Sequence, residues 1–260
     1  MTSASTLAFL VLSCDKYADL WPGFFHQLEK NLSTPHRKYL VTNELAYSTD
    51  KVSHLRVIQN GKDTNWSNNL MRALDQIPEE KLFIILEDIY LESAVDLDLL
   101  SRIEEFFIAE PAQHLKYMGN PKAEHWVNEI YSRYEPGMPY LTSVCGIWDK
   151  AYLKSLLLEG ENAWDFEINA SYRAKYQGHH FYSLNTPLFK YRNMVEKGGW
   201  IKPNYRWALE NHIPIDPRAR PVKSAVPYYL KKWYFDLILA LPWRWRLQLG
   251  NLMKKLLIVY

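Results

Sequence analysis

The sequence predicts an α/β fold, a Rossmann-type mixed sheet flanked by helices and followed by a C-terminal helical tail. Strand and helix patterns alternate through the first ninety residues, as parallel sheets with crossover helices require. The run Lys81-Leu82-Phe83-Ile84-Ile85-Leu86 is continuously apolar, which suits a strand covered on both faces. It ends at once in Glu87-Asp88, at the carboxyl end of a strand, where open α/β sheets take their ligands. At 260 residues, 48% hydrophobic and 23% charged, the chain is long and apolar enough for a sizeable core.

Residues 7–13 form the first predicted strand, and Cys14-Asp15-Lys16 follows it directly. Residues 17–32 carry Leu20, Phe24, Leu28 and Leu32 at helical spacing, with Pro22 in the first turn. Residues 37–42 and 55–58 read as the second and third strands. Asn65 is positioned to cap a helix over 66–77. After the acidic-tipped strand, 96–109 reads as a helix and 113–118 as a strand. The segment 119–139 is polar, aromatic and irregular, the character of a specificity loop. A strand over 141–148, a helix over 150–158 and a helix over 164–176 follow. No linker divides the chain before residue 220, so the expected organisation is one domain over 1–226 and a tail over 227–260.

Four clusters carry polar chemistry. Asp15 follows the first strand as a nucleotide-contacting acid would, and an ordinary turn or cap Asp would sit there too. Asp63, Asn69 and Arg72 gather around Trp66 at a helix start, where anions are favoured and Asn or Arg can bond phosphate or base. Asp165 and Glu167, set among Trp164 and Phe166, offer a general base beside aromatic rings. On a helix they diverge by roughly 200°, so one of them faces a cleft. Lys190, Arg192 and Lys197, with Gly198-Gly199, can approach and neutralise a diphosphate.

In this order the four clusters resemble the GT-A class of nucleotide-sugar glycosyltransferases, and more narrowly bacterial enzymes that build surface polysaccharide or lipopolysaccharide. The resemblance spans residues 7–217. It implies a GT-A-like catalytic domain with a nucleotide-sugar donor as substrate and a glycan or lipid-linked acceptor. Ser13-Cys14-Asp15-Lys16-Tyr17 resembles the first nucleotide-contacting turn, and Asp63 to Arg72 the donor-binding loop and helix. Leu86-Glu87-Asp88-Ile89 stands where that class carries its DxD-type acidic motif, and Asp165 or Glu167 where it carries the acceptor-side acid. The chain departs from the DxD pattern at Ile89, which is apolar where another carboxylate is expected. Glu87 and Asp88 as ligands of Mn²⁺ or Mg²⁺, and metal-independent transfer with Lys190, Arg192 or Lys197 holding the phosphates, both fit that departure. Stereochemistry is open between inversion and retention.

Net charge is +2, but six Lys or Arg against Asp236 alone give the segment 227–260 a charge of +5, leaving −3 for the rest. A nucleic-acid binder would carry its basic residues on the main domain. The tail mixes them with Trp and Tyr, which suits a helix lying on an anionic membrane or a hairpin packed on protein; Pro242 divides it into two helices. Two cysteines, Cys14 and Cys145, lie too far apart in sequence for a zinc motif. Residues 1–6 lack a basic signal-peptide start, so the expected location is cytoplasmic, peripheral on the inner face of the membrane. Two other functions compete: a non-catalytic nucleotide or glycan binder, and a sugar nucleotidyltransferase. The second lacks a Gly-rich phosphate loop after the first strand.

Overall fold

The computed structural model describes residues 7–50, 52–117, 123–136, 138, 142–177, 179–239, 241–245 and 248. The first half alternates β1 (Leu7–Leu12), α1 (Trp21–Asn31), β2 (Lys38–Thr42), β3 (Leu55–Gln59), α2 (Trp66–Asp75) and β4 (Lys81–Leu86). Next come β5 (Ile89–Leu91), α3 (Leu97–Ala109), β6 (His114–Lys116), β7 (His125–Trp126), β8 (Tyr131–Arg133) and β9 (Gly146–Asp149). The remainder is α4 (Lys150–Leu156), α5 (Ala163–Gln177), β10 (Phe181–Leu184), β11 (Tyr191–Asn193), β12 (Val195–Glu196) and β13 (Gly199–Ile201), then α6 (Lys202–Glu210), β14 (Val222–Lys223) and α7 (Val226–Leu239).

A nine-stranded sheet runs in the order β3-β2-β1-β4-β9-β6-β10-β8-β7. The first four strands are parallel; β9 runs antiparallel to both β4 and β6, and β8 and β7 continue antiparallel to one edge. This is the mixed sheet flanked by helices that the sequence predicts. The two-residue period of a strand divides β1 between two cores. Leu7, Phe9 and Val11 join α1 and α3 on one face, while Ala8, Leu10 and Leu12 join α2, α4 and α5 on the other.

Three elements differ from the sequence reading. The predicted helix over 17–32 is two pieces, a 3₁₀ segment (Asp15–Leu20) that is itself kinked at Tyr17 (φ −110°, ψ 15°), and α1. The segment 119–139 contains β7 and β8, whose short polar strands pair at the sheet edge; Tyr131 packs on Phe106 and Tyr182. The strand predicted over 141–148 starts only at Gly146, and Leu141 lies outside the described residues. Thr142 and Val144 are drawn instead to α5, through Thr142 Oγ1 to the Glu167 carbonyl (2.8 Å) and Val144 N to Glu167 Oε1 (3.0 Å).

Candidate functional site

The chain leaves β1 toward β2 and β3, then crosses back to place β4 on the other side of β1. Strand order therefore reverses between β1 and β4, and such a reversal opens a crevice at the carboxyl ends of the two strands. Cys14 and Asp15 leave β1 there, and Glu87 and Asp88 leave β4 beside them.

Glu87 is 6% exposed and Asp88 half-buried. Neither forms an ion pair among the described residues. Burial, then the neighbouring Asp88, raises the Glu87 pKa to about 8; burial raises Asp88 to about 6. The turn is fixed from two sides. Met194 N donates to the Asp88 carbonyl (2.8 Å), and Tyr90 OH donates to the Leu20 carbonyl (2.8 Å). Gly23 lets α1 pass over that tyrosine: a Cβ there would meet Tyr90 Oη at 2.5 Å. Ile89, the departure from the DxD pattern, is buried core.

The Asp15 carboxylate is engaged by protein. Oδ1 accepts from Asn43 N (2.8 Å) and Oδ2 from Glu44 N (2.9 Å) and Leu45 N (3.0 Å), while Asn43 Oδ1 accepts from Asp15 N (3.1 Å). These bonds tie the end of β1 to the loop after β2, so Asp15 shapes the crevice wall. Asp63, Asn69 and Arg72 do come together. Asn69 Nδ2 donates to Asp63 Oδ1 (2.5 Å) and Arg72 Nη2 to Asn69 Oδ1 (2.6 Å), at the start of α2. Asn65 caps that helix, accepting from Asn68 N as the sequence predicts.

The two acids of α5 separate as helical geometry requires. Asp165 is exposed and belongs to the helix cap: its Oδ2 accepts from Asn162 Nδ2 (2.6 Å), and its amide donates to Asn162 Oδ1 (2.9 Å). Glu167 is half-buried against the Val144 amide, next to Cys145. Burial pushes the Cys145 thiol up to about 12, and the charges of Asp88 and Glu167 push it the same way. Glu167 and the β4 carboxylates thus bear on one region.

The three predicted phosphate cations are not gathered there. Lys190 and Lys197 are exposed. Arg192 pairs with Glu92 Oε1 (2.5 Å), donates to Asn204 Oδ1 (3.3 Å) and lies 4.9 Å from the Trp207 ring centroid. Lys197 and Gly198 take φ of 48° and 75° in the two-residue turn between β12 and β13, so the glycine serves a hairpin. The cation whose charge is felt at both Glu87 and Asp88 is Arg220, which sequence reasoning missed. It is 8% exposed and doubly bonded to Asp19. Its flanking residues Pro217, Arg218 and Pro221 read as an ordinary loop, and its partner lies 201 positions away.

Adjacent hard oxygen donors without a cationic contact suit Mg²⁺ or Mn²⁺, which can use one or two carboxylates and complete their shell with substrate phosphates and water. Glu87 and Asp88 supply donors of that kind and number. No group of three or more His, Cys, Asp or Glu that could hold an ion occurs among the described residues.

The fold is shared with a solved structure of S. aureus TarS. Residues 1–349 of that protein, in complex with UDP-GlcNAc, match at TM-score 0.51 and 14% identity, over 75% of this chain and 60% of that one. A longer TarS structure matches at TM-score 0.48 and 15% identity, over 73% of this chain and 36% of that one. The chain thus spans between about a third and three-fifths of these solved chains. No protein-family model and no curated protein sequence matches it.

Proposed function

We propose that the chain is a glycosyltransferase that moves a sugar from a nucleotide-sugar donor to a growing cell-surface glycan of the capsule, O-antigen or lipopolysaccharide type. The observation that carries this reading is the carboxylate pair at the strand-order reversal, Glu87 buried and Asp88 half-buried, with the Asp63-Asn69-Arg72 network at the start of α2 nearby in the fold. The shared fold of the TarS structure with UDP-GlcNAc supports a nucleotide-sugar donor. Asp63, Asn69 and Arg72 bind the nucleotide, on a wall shaped by Asp15. Glu87 and Asp88 hold a divalent ion, which when bound offsets diphosphate charge. Glu167 takes the proton of the acceptor hydroxyl in an inverting reaction; Asp165, tied into the helix cap, is the weaker choice. Residues 1–226 form the catalytic domain in this reading. The tail rests on the inner face of the membrane, near a lipid-linked acceptor.

A thermal-shift panel of nucleotide sugars and free nucleotides, each with and without Mn²⁺, tests the reading. A ligand at a hundred times its Kd stabilises a native state by about 2.7 kcal/mol. Selective stabilisation by one nucleotide is expected, larger with Mn²⁺. Absence of a shift with every nucleotide would overturn the donor site and leave glycan binding without catalysis.

A further inference from the structure

We propose that Arg220 is the donor-phosphate-binding cation of the crevice, held in place by Asp19, Tyr17 and the Lys16 carbonyl. The proposal rests on the nucleotide-sugar reading above and assigns a residue to it. Arg220 Nε donates to Asp19 Oδ2 (2.7 Å), and Nη2 to Asp19 Oδ1 (2.7 Å) and the Lys16 carbonyl (3.1 Å). Its guanidinium carbon lies 4.6 Å from the Tyr17 ring centroid. These contacts use one edge of the fork and leave Nη1 for another acceptor.

Backbone anchors fix the approach. The 216–219 turn closes through Ala219 N to the Asp216 carbonyl (3.2 Å), and Trp200 N donates to the Pro221 carbonyl (2.9 Å) as β14 joins β13. Arg220 therefore arrives with its stem held on both sides and its head clamped to the turn after β1. That turn leaves the same crevice as Glu87 and Asp88.

Stability does not account for the arrangement. A buried guanidinium–carboxylate pair gives little net gain over apolar side chains of similar volume. Charge does account for it. Glu87 and Asp88 line the crevice with no ion-pair partner among the described residues, so a diphosphate entering it needs a cation to face it. Arg192 is taken by Glu92, Asn204 and Trp207, and Lys190 and Lys197 project into solvent. Arg220 is the buried guanidinium clamped to the turn that leaves this crevice, and a pre-aligned planar fork is the group best suited to phosphate.

The test uses the full chain and calorimetric titration with UDP, GDP and inorganic pyrophosphate, alongside uridine and guanosine, all with Mn²⁺. R220Q is expected to weaken the diphosphate that the wild type binds by tenfold or more and to leave its nucleoside within about twofold. R220K is expected to recover part of the loss. Since R220Q leaves Asp19 without its partner, D19N and D19N/R220Q separate folding from binding. D19N, which keeps the guanidinium but loosens its clamp, should cost less diphosphate affinity than R220Q, and the double variant should fall to the level of R220Q and no further. Equal losses of nucleoside and diphosphate in R220Q, unchanged diphosphate affinity in R220Q, or a further loss in D19N/R220Q beyond that of R220Q would overturn the assignment. Failure of the wild type to bind any of these probes would instead overturn the nucleotide reading and this proposal with it.

Discussion

At the scale of single residues, Glu87 carries the largest electrostatic cost in the crevice. Its folded pKa of about 8 stands above the ordinary 4.5, so between those values the folded chain keeps a proton that the unfolded chain has released. Stability without divalent ions therefore falls as pH rises from 4.5 to 8. E87Q removes this dependence and should raise stability above pH 8 by a few kcal/mol, since each tenfold change in proton affinity is worth about 1.4 kcal/mol. Urea denaturation at pH 5 and pH 9 measures it; a wild-type curve flat between those values would show that the carboxyl is not strained. The α5 acids call for a second comparison. E167Q preserves an oxygen for the Val144 amide but removes the base, and should lower kcat by roughly 10²–10⁴-fold. D165N keeps cap geometry and should leave kcat within a few-fold. Comparable losses in both variants would remove Glu167 from its proposed role. The cluster Asp63, Asn69 and Arg72 was legible in the sequence because a helix start brings near neighbours together. Arg220 was not, because nothing local marks a loop arginine whose partner is Asp19.

At the scale of elements, β1 and β4 could be read directly because strands buried on both faces have no polar positions to confuse the pattern. Short edge strands such as β7 and β8 carry polar residues and gain their pairing from tertiary contacts, so composition alone made them a loop. In the β12–β13 hairpin, a Lys-Gly-Gly sequence read as a diphosphate approach forms a tight two-residue turn. Gly198 at φ 75° tolerates Ala poorly, and G198A should cost about 1 kcal/mol of stability in thermal unfolding. Strands β6 and β10 predict an acid-side limit as well. His179, beside Phe181, has a pKa lowered to about 4, by burial first, against an ordinary 6.5. The unfolded chain binds that proton first, so stability is full above pH 6.5 and declines as pH falls toward 4. H179F should flatten that decline; an unchanged acid limb in urea titrations would assign it to other groups.

At the scale of the whole molecule, charge and apolar surface are segregated in the same direction. The segment 227–260 holds +5 and the rest −3, and α7 leaves Val226, Leu230, Trp233 and Leu237 exposed along one side at spacings of four, three and four. A helix packed only on its own domain would bury such a stripe. No described helix is long and apolar enough to cross a membrane. The tail nevertheless touches the domain farther on: Trp243 packs beside the second core and donates to Glu135 Oε2 (3.0 Å), and Arg244 donates to Glu135 Oε1 (3.2 Å). The proposed membrane contact therefore belongs to α7, while the helical turn after Pro242 anchors it to the body. Apolar insertion and basic attraction act together in such helices, and the second weakens with salt. Sedimentation with vesicles containing phosphatidylglycerol should show binding that falls between about 0.05 and 0.5 M salt and is weak on neutral vesicles. W233A/L237A should reduce it severalfold while far-UV spectra and melting temperature stay close to wild type, because both side chains are exposed. If the double variant binds vesicles as before, the stripe faces something other than lipid; if it becomes a monomer from a larger species, that partner is another copy of the chain.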